Sequence, residues 1–354
     1  MASVLEPLSR FLEQPTALYA YRFPYWKRPV VRQCFPGCRI VFLEAIDTVP
    51  RDAWLILWGM CPVPDGLSAD IRVLRLEDGF LRSVGLGADL VRPLSWVVDG
   101  AGIYYDATRP SDLEELLATT VFDTELLSRA AALCARIVAA GLTKYNVGTQ
   151  RWQRPDNVVT RVILVPGQVE TDASLAYGAP GERTNIGLLR AVRAANPNAY
   201  LIYKPHPDVH ARLRAVGQGE QEAYRWCDEI VTDNAMGELL IAVDEIHVLT
   251  SLAGFEALLR GKPVTCYGQP FYSGWGLTQD AFPNDRRCRR LTLDELVAVT
   301  LIKYPLYLSR NGKRLITPEQ ALEELLFLRA RSGGKDPWWR AIVRIFLRRI
   351  VGVR

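Results

Sequence analysis

Short apolar runs recur between longer amphipathic stretches along this chain, and that alternation constrains its fold more than any other feature. The runs fall at 39–43, 54–58 and 73–76 in the first half and at 162–165, 200–204, 245–249 and 264–267 in the second. They are rich in Val, Ile and Tyr, as short strands buried in a parallel sheet should be. Strands alternating with helices are βαβ units, so the expected fold class is α/β with parallel sheets in both halves. Three helix starts are readable from capping boxes: Ser111 with Glu114, Thr292 with Glu295, and Thr317 with Gln320 behind Pro318 at the first helical position.

The periodicity lapses between Tyr145 and Asn157, where Gly148, Arg151, Gln153, Arg154 and Pro155 gather. A boundary there divides the 354 residues into a first domain at 1–150, a second at 151–320 and a helical tail at 321–354. Beyond Gly333-Gly334 the tail becomes basic and Trp-rich. Arg340, Arg344 and Arg348 form one helical stripe, and Trp338, Trp339, Ile342, Ile345, Phe346 and Leu347 fill much of the rest. Two readings are open for this helix: an interfacial anchor on an anionic inner leaflet, or a terminal helix packed back on the protein.

Composition removes several function classes. The 43 basic and 39 acidic residues leave a net charge of +4, too mild to argue for nucleic acid. No basic-then-apolar leader opens the chain and no apolar stretch reaches membrane-spanning length, so a cytoplasmic location is expected. Seven scattered cysteines fit a reducing compartment. The only close pair, Cys34 and Cys38, has no histidine nearby, so free thiols are expected rather than a zinc site. There is no Walker loop, no His-Glu-x-x-His and no Asp-x-Asp at a strand end, so neither metal nor other cofactor is expected.

Ligands of parallel sheets sit at the carboxyl ends of strands, and polar residues gather at those ends here. The run 245–249 leads into Thr250-Ser251-Leu252-Ala253-Gly254-Phe255-Glu256. There a helix start can receive a phosphate, and Glu256, one turn on, can bind a ribose diol. The run 73–76 leads into Glu77-Asp78-Gly79-Phe80-Leu81-Arg82, either a pair of functional carboxylates with an arginine or a solvated turn. The run 162–165 leads into a loop where Gln168, Asp172 and Ser174 could face one cleft. Asp172 is the best-placed nucleophilic or acid-base carboxylate, with simple capping of the next helix as the competing reading. The run 200–204 ends in Lys204-Pro205-His206-Pro207, where a histidine held between prolines is aimed outward as a donor to a phosphate or carboxylate, beside the Lys204 charge. His247, inside its strand, is expected to be a packed core residue, and His210 to lie on the surface.

With these motifs the chain resembles the KpsC-type capsule polysaccharide biosynthesis family, retaining β-Kdo transferases that use CMP-β-Kdo. The resemblance is carried by Trp58-Gly59, the stretches 77–87 and 102–111, Lys144-Tyr145-Asn146, 168–174, 204–207 and 250–276, including Gln269 and Tyr272. It implies a GT-B-like fold, two Rossmann-like domains facing a central cleft, with 1–150 on the acceptor side and 151–320 binding the CMP-sugar. Asp172 would then be the nucleophile, Glu77 the supporting acid-base carboxylate and His206 a ligand of the donor's phosphate or carboxylate. Lys204, Thr250, Ser251, Gly254, Glu256, Gln168 and Ser174 would bind the donor, with Asp78, Arg82, Gln269 and Tyr272 in support. Asp78 could share or replace the role of Glu77.

The implied partners are CMP-Kdo, a Kdo-terminated glycolipid acceptor, and peripheral contacts with the inner membrane and capsule assembly proteins. Family members often carry two modules in tandem, and each motif occurs here once, so the chain is one module and its linkage stays open. An inverting CMP-sugar transferase on the same fold, sialyltransferase-like, or a non-catalytic capsule-assembly scaffold would fit some of the same residues.

Overall fold

Thirteen strands build the two sheets of the computed structural model, which describes residues 7–8, 11, 17–46, 48–85, 92–146, 148 and 150–332. The first sheet contains β1 (Ala17–Tyr21), β2 (Arg39–Leu43), β3 (Trp54–Trp58), β4 (Arg72–Asp78), β5 (Ser95–Asp99), β12 (Pro305–Leu308) and β13 (Leu315–Ile316). Its order is β13-β12-β5-β4-β3-β1-β2. The second contains β6 (Val162–Pro166), β7 (Tyr200–Lys204), β8 (Glu229–Ile230), β9 (Glu245–Val248), β10 (Val264–Cys266) and β11 (Gln279–Asp280), in the order β11-β10-β9-β6-β7-β8. Every pairing in the second sheet is parallel.

The first sheet departs from the expectation of parallel strands throughout. β1 to β4 are parallel, but β5, β12 and β13 each run antiparallel to their neighbours. β12 and β13 also lie in a stretch expected to belong to the second domain. Leu306 pairs with Trp96, so the chain returns to the first sheet after completing the second, and a division at residue 320 does not follow the sheets. The strand is apolar and fully buried, and β5 offers it an otherwise open edge.

One continuous apolar cluster joins the halves. It runs from Leu94, Val97 and Ile103 through Ala130, Leu133 and Ile137 of helix Thr124–Ala139 to Val162, Leu164, Ile246 and Phe255. The buried residues of that helix recur at three- and four-residue steps, and Asp123 caps it by accepting the Leu126 N–H at 2.8 Å. The boxes at Thr292 and Thr317 form with both reciprocal bonds. At Ser111 only half of the box forms, because the Glu114 carboxylate is turned to another use.

Glu114 accepts Arg286 Nε at 2.6 Å and Arg287 Nε at 3.0 Å. Arg287, 6% exposed, also donates to the carbonyls of Pro270 and Ser273, fastening the 270–274 loop to helix Asp112–Thr119. Removing one member of a buried pair strands the other charge at a cost of about 3–5 kcal/mol. Glu114→Ala is therefore expected to lower unfolding stability by about 3 kcal/mol, read as a fall in the denaturation midpoint. An unchanged midpoint would mean that Arg287 is satisfied by the carbonyls alone.

All seven cysteines are free thiols, and His247 is buried against Glu245, 2.7 Å from its Oε1. Among the described residues no helix is long and apolar enough to cross a membrane. The basic helix expected at 337–351 lies outside the described residues.

Candidate active site

The second sheet has the doubly wound order in which the chain reverses direction between β6 and β9, and ligands bind in the crevice outside such a point. Gln168 follows β6 and Thr250 follows β9. Gln168 Nε2 donates to Thr250 Oγ1 at 3.0 Å, while the Thr250 N–H donates to Gln168 Oε1 at 2.9 Å. This pair clamps the floor of a cleft of about 1180 Å³ lined by both halves of the molecule.

On the first-half wall β4 ends in Glu77 and Asp78. Glu77 accepts the Asp78 N–H at 2.9 Å and the Tyr105 hydroxyl at 3.3 Å. Burial, then the Asp78 charge, raises its pKa to about 7, with the Asp78 N–H, Lys27 and Lys144 pulling the other way. Asp78 is instead ion-paired to Arg82 Nε at 2.7 Å. The two adjacent carboxylates are thus placed differently: Glu77 is poised to exchange a proton at neutral pH, while Asp78 is tied to a cation. Gly59 makes room for this arrangement, because a Cβ there would stand 2.6 Å from Glu77 Oε2, and its φ is +47°. Arg75 holds Gly59 in place by donating to its carbonyl at 2.5 Å.

The opposite wall carries Lys204, His206 and Asp172. Lys204, 6% exposed, donates to the Thr232 carbonyl at 3.1 Å, and burial lowers its pKa to about 8. His206 accepts the Asp208 N–H on Nδ1 at 3.2 Å, so its neutral ring carries the proton on Nε2. Burial, reinforced by Lys144, Arg214 and Lys204 and opposed by Asp172, lowers its pKa to about 3. The ring is therefore a neutral donor near pH 7. Asp172 is exposed on the same wall and caps helix Ala173–Gly178 by accepting the Ser174 N–H at 3.0 Å. The capping reading of Asp172 is met, and because the cap engages only Oδ1 the carboxylate still lines the cleft.

Glu77, Asp78, Arg82, Gln168, Asp172, Ser174, Lys204, His206, Thr250, Ser251 and Glu256 all line this one cleft. Gln168 and Thr250 engage each other. Glu256, raised to about 7 by burial, accepts the Lys144 N–H at 2.6 Å across the two halves. Gly254, Gln269 and Tyr272 are not among the lining residues. Tyr272 packs on Gly254, where a side chain would collide with its phenol, and donates to the Ser251 carbonyl. Gln269 donates to the Pro283 carbonyl at 2.8 Å. Gly254 and Tyr272 thus brace the turn from behind, and Gln269 ties its own loop to the 282–283 segment. His210, exposed, lies on the cleft rim.

Lys27, Tyr104, Tyr105 and Lys144 also line the cleft, although no role for them follows from the sequence alone. Tyr104 and Tyr105 had a signal in the 102–111 stretch, which Asp99 shapes by accepting the Gly102 N–H at 2.7 Å. Lys27 had none. Among the described residues no group of three or more His, Cys, Asp or Glu could hold a metal ion.

Comparison with known proteins places these features. The capsule polysaccharide modification protein LipA of Neisseria meningitidis serogroup B is 45% identical over 324 residues, covering 87% of this chain and 45% of LipA. The chain thus spans less than half the length of that relative. The lipopolysaccharide-processing protein LpsZ of Rhizobium meliloti is 39% identical, over 83% of this chain and 71% of LpsZ. Two solved structures are those of the β-Kdo 2,7 and β-Kdo 2,4 transferases of Thermosulfurimonas dismutans KpsC. They superpose with TM-scores of 0.74 and 0.77 at 40% and 31% identity, covering 88% and 89% of this chain and 99% of each structure. Residues 66–307, which hold all of the cleft's lining residues but Trp26, Lys27 and Trp58, match the family described as capsule polysaccharide biosynthesis protein, and the chain belongs to that family.

Proposed function

We propose that this chain is a retaining β-Kdo glycosyltransferase module of GT-B organisation, moving Kdo from CMP-β-Kdo to a Kdo-terminated glycolipid acceptor in capsule polysaccharide biosynthesis. The observation that carries this reading is the pairing of Glu77, poised near pH 7, on one wall with Asp172 beside Lys204 and His206 on the other. Retention by double displacement needs a carboxylate nucleophile and a second group that handles the proton of the acceptor hydroxyl.

In this mechanism Asp172 attacks the anomeric carbon of the donor, and the bond to the CMP phosphate breaks with its electron pair. Lys204 and the His206 Nε2–H meet the charge on the departing phosphate, and no metal is required for that step. Glu77 then takes the proton of the acceptor hydroxyl as that oxygen displaces Asp172 from the sugar. The Thr250–Ser251 turn and Glu256 receive the nucleotide. A cytosolic nucleotide-sugar donor and a lipid-linked acceptor put the work at the inner face of the membrane.

Incubation with CMP-Kdo and a synthetic Kdo-terminated acceptor, followed by NMR of the product, tests the reading. A β-linked Kdo extension supports it, and CMP release no faster than in a heat-inactivated control sinks it. A hydrogen bond to a charged group contributes about 1.5–3 kcal/mol, so His206→Ala is expected to weaken CMP binding roughly 10- to 100-fold in titration calorimetry. Unchanged affinity would remove His206 from the donor site.

A further inference from the structure

The first sheet has a switch point of its own. Its parallel part is ordered β2-β1-β3-β4, so the chain reverses direction between β1 and β3, and the crevice outside their carboxyl ends is a second place built to take a ligand. The chain leaving β1 turns through the short helix Tyr25–Lys27 and brings Lys27 over the indole of Trp58, the last residue of β3. Lys27 is 8% exposed, lines the cleft, and makes no side-chain hydrogen bond or ion pair among the described residues. Glu77 and Asp78 are the carboxylates whose charge it feels most, yet both are engaged elsewhere, Asp78 by Arg82 and Glu77 by Tyr105 and a backbone N–H. Beside it stands Trp26, 51% exposed and also lining the cleft, with its ring 4.9 Å from the Lys27 ammonium.

We propose that Lys27 and Trp26 form the acceptor subsite, in which the Lys27 ammonium binds the carboxylate of the sugar acid that receives the transferred residue and the Trp26 indole packs against its ring. The assignment rests on the function proposed above. A cation nine-tenths buried with no hydrogen-bonded anion among the described residues has given up hydration that a carboxylate ligand restores. Its place beside Glu77 decides which sugar it serves, because the group that deprotonates the acceptor hydroxyl must stand within hydrogen-bond reach of the acceptor. The donor's anionic groups have their own partners across the cleft in the Lys204 and Arg214 cations and the neutral His206 donor. Two switch points, each with its own charge, thus face one cavity, one for each acid sugar.

The test uses two acceptors that differ only in the terminal sugar, one with a free carboxylate and one with that group converted to the carboxamide. Wild-type acceptor KM is expected to rise roughly 10- to 100-fold on the carboxamide, the worth of one charged hydrogen bond. Lys27→Met, which keeps the aliphatic stem on Trp58, should show that raised KM on both acceptors and discriminate between them less than about twofold, with Lys27→Arg recovering part of the preference. CMP affinity should stay within about twofold of wild type in both variants, since the donor wall is untouched.

A Lys27→Met enzyme that still prefers the carboxylate as strongly as wild type overturns the proposal, as does one that loses CMP affinity with acceptor KM unchanged. Saturation-transfer NMR with the methyl glycoside of Kdo and its carboxamide reads the subsite without turnover. Binding that ignores the carboxylate in wild type overturns the subsite. Carboxylate-dependent binding abolished in Lys27→Met, with no transfer by wild type, upholds the subsite and puts the failure on the catalytic reading.

Discussion

Replacing Asp172 with asparagine is expected to cut transfer by at least about 10³-fold, the scale on which removal of a nucleophile acts in covalent enzymes. Asparagine isolates chemistry from folding. Asp172 is exposed, and its structural task is to cap helix Ala173–Gly178, for which asparagine is as good a residue as aspartate. The denaturation midpoint should therefore hold while activity falls. Asp172→Ala would mix in a capping loss of about 1 kcal/mol, so it is the poorer probe. The decisive measurement is mass spectrometry of the enzyme after exposure to CMP-Kdo without acceptor. A Kdo-sized mass on the peptide carrying Asp172, absent from Asp172→Asn, is the expected result. Transfer by Asp172→Asn within tenfold of wild type would remove Asp172 as nucleophile and return the inverting reading.

The same residue shows what can be read from a sequence and what cannot. β6, β7 and β9 are legible because a strand buried on both faces has to be apolar along its length, and Asp172, Lys204 and His206 are legible because they follow such strands. β5 is not, since Ser95 and Asp99 bound it and leave an apolar run of only three residues. Asp99 is buried where it accepts N–H groups of the next turn and the Tyr304 hydroxyl, a satisfaction only the folded chain supplies. β12 is hidden differently: nothing local in a four-residue apolar run says that its partner lies some two hundred residues earlier in the chain.

In the site, residue type suggested contacts that distance reassigns. The Gln168 and Thr250 side chains bond to each other while still lining the cleft, and Gly254, Gln269 and Tyr272 stand outside its lining, with Tyr272 bonded to the Ser251 carbonyl from behind. Glu77 and Asp78 are equivalent as letters, and Arg82 makes them different. Lys27 carried no signal because a single lysine among aromatics has no periodicity. Its burial comes from Trp58, which is 31 residues away in sequence.

Glu77→Gln should lower transfer by about 10²- to 10⁴-fold, the usual worth of a positioned general base, and should change how the rate depends on pH. The departing CMP phosphate bears its own charge, so the proton that matters is the one on the acceptor hydroxyl, which Glu77 accepts only when ionised. With its pKa raised to about 7, the ionised fraction grows as pH climbs through neutrality, and wild-type kcat/KM for the acceptor should rise across that range before loss of the Lys27 and Lys204 protons, both lowered to about 8 by burial, turns the profile down. Glu256 is also raised to about 7, so the variant supplies the control. Glu77→Gln should be slow and show no rising limb between about pH 6 and 7, whereas a surviving rising limb would assign the titration to another group and take the base role from Glu77. The linkage to folding runs the opposite way. Folded Glu77 holds its proton up to about 7 against an ordinary 4.5, so it subtracts stability as pH rises between those values, and Glu77→Gln should remove that part of the slope. A variant that loses the rising limb in activity while gaining stability near neutral pH would be behaving as a buried base should, with proton affinity raised for catalysis at the expense of the fold.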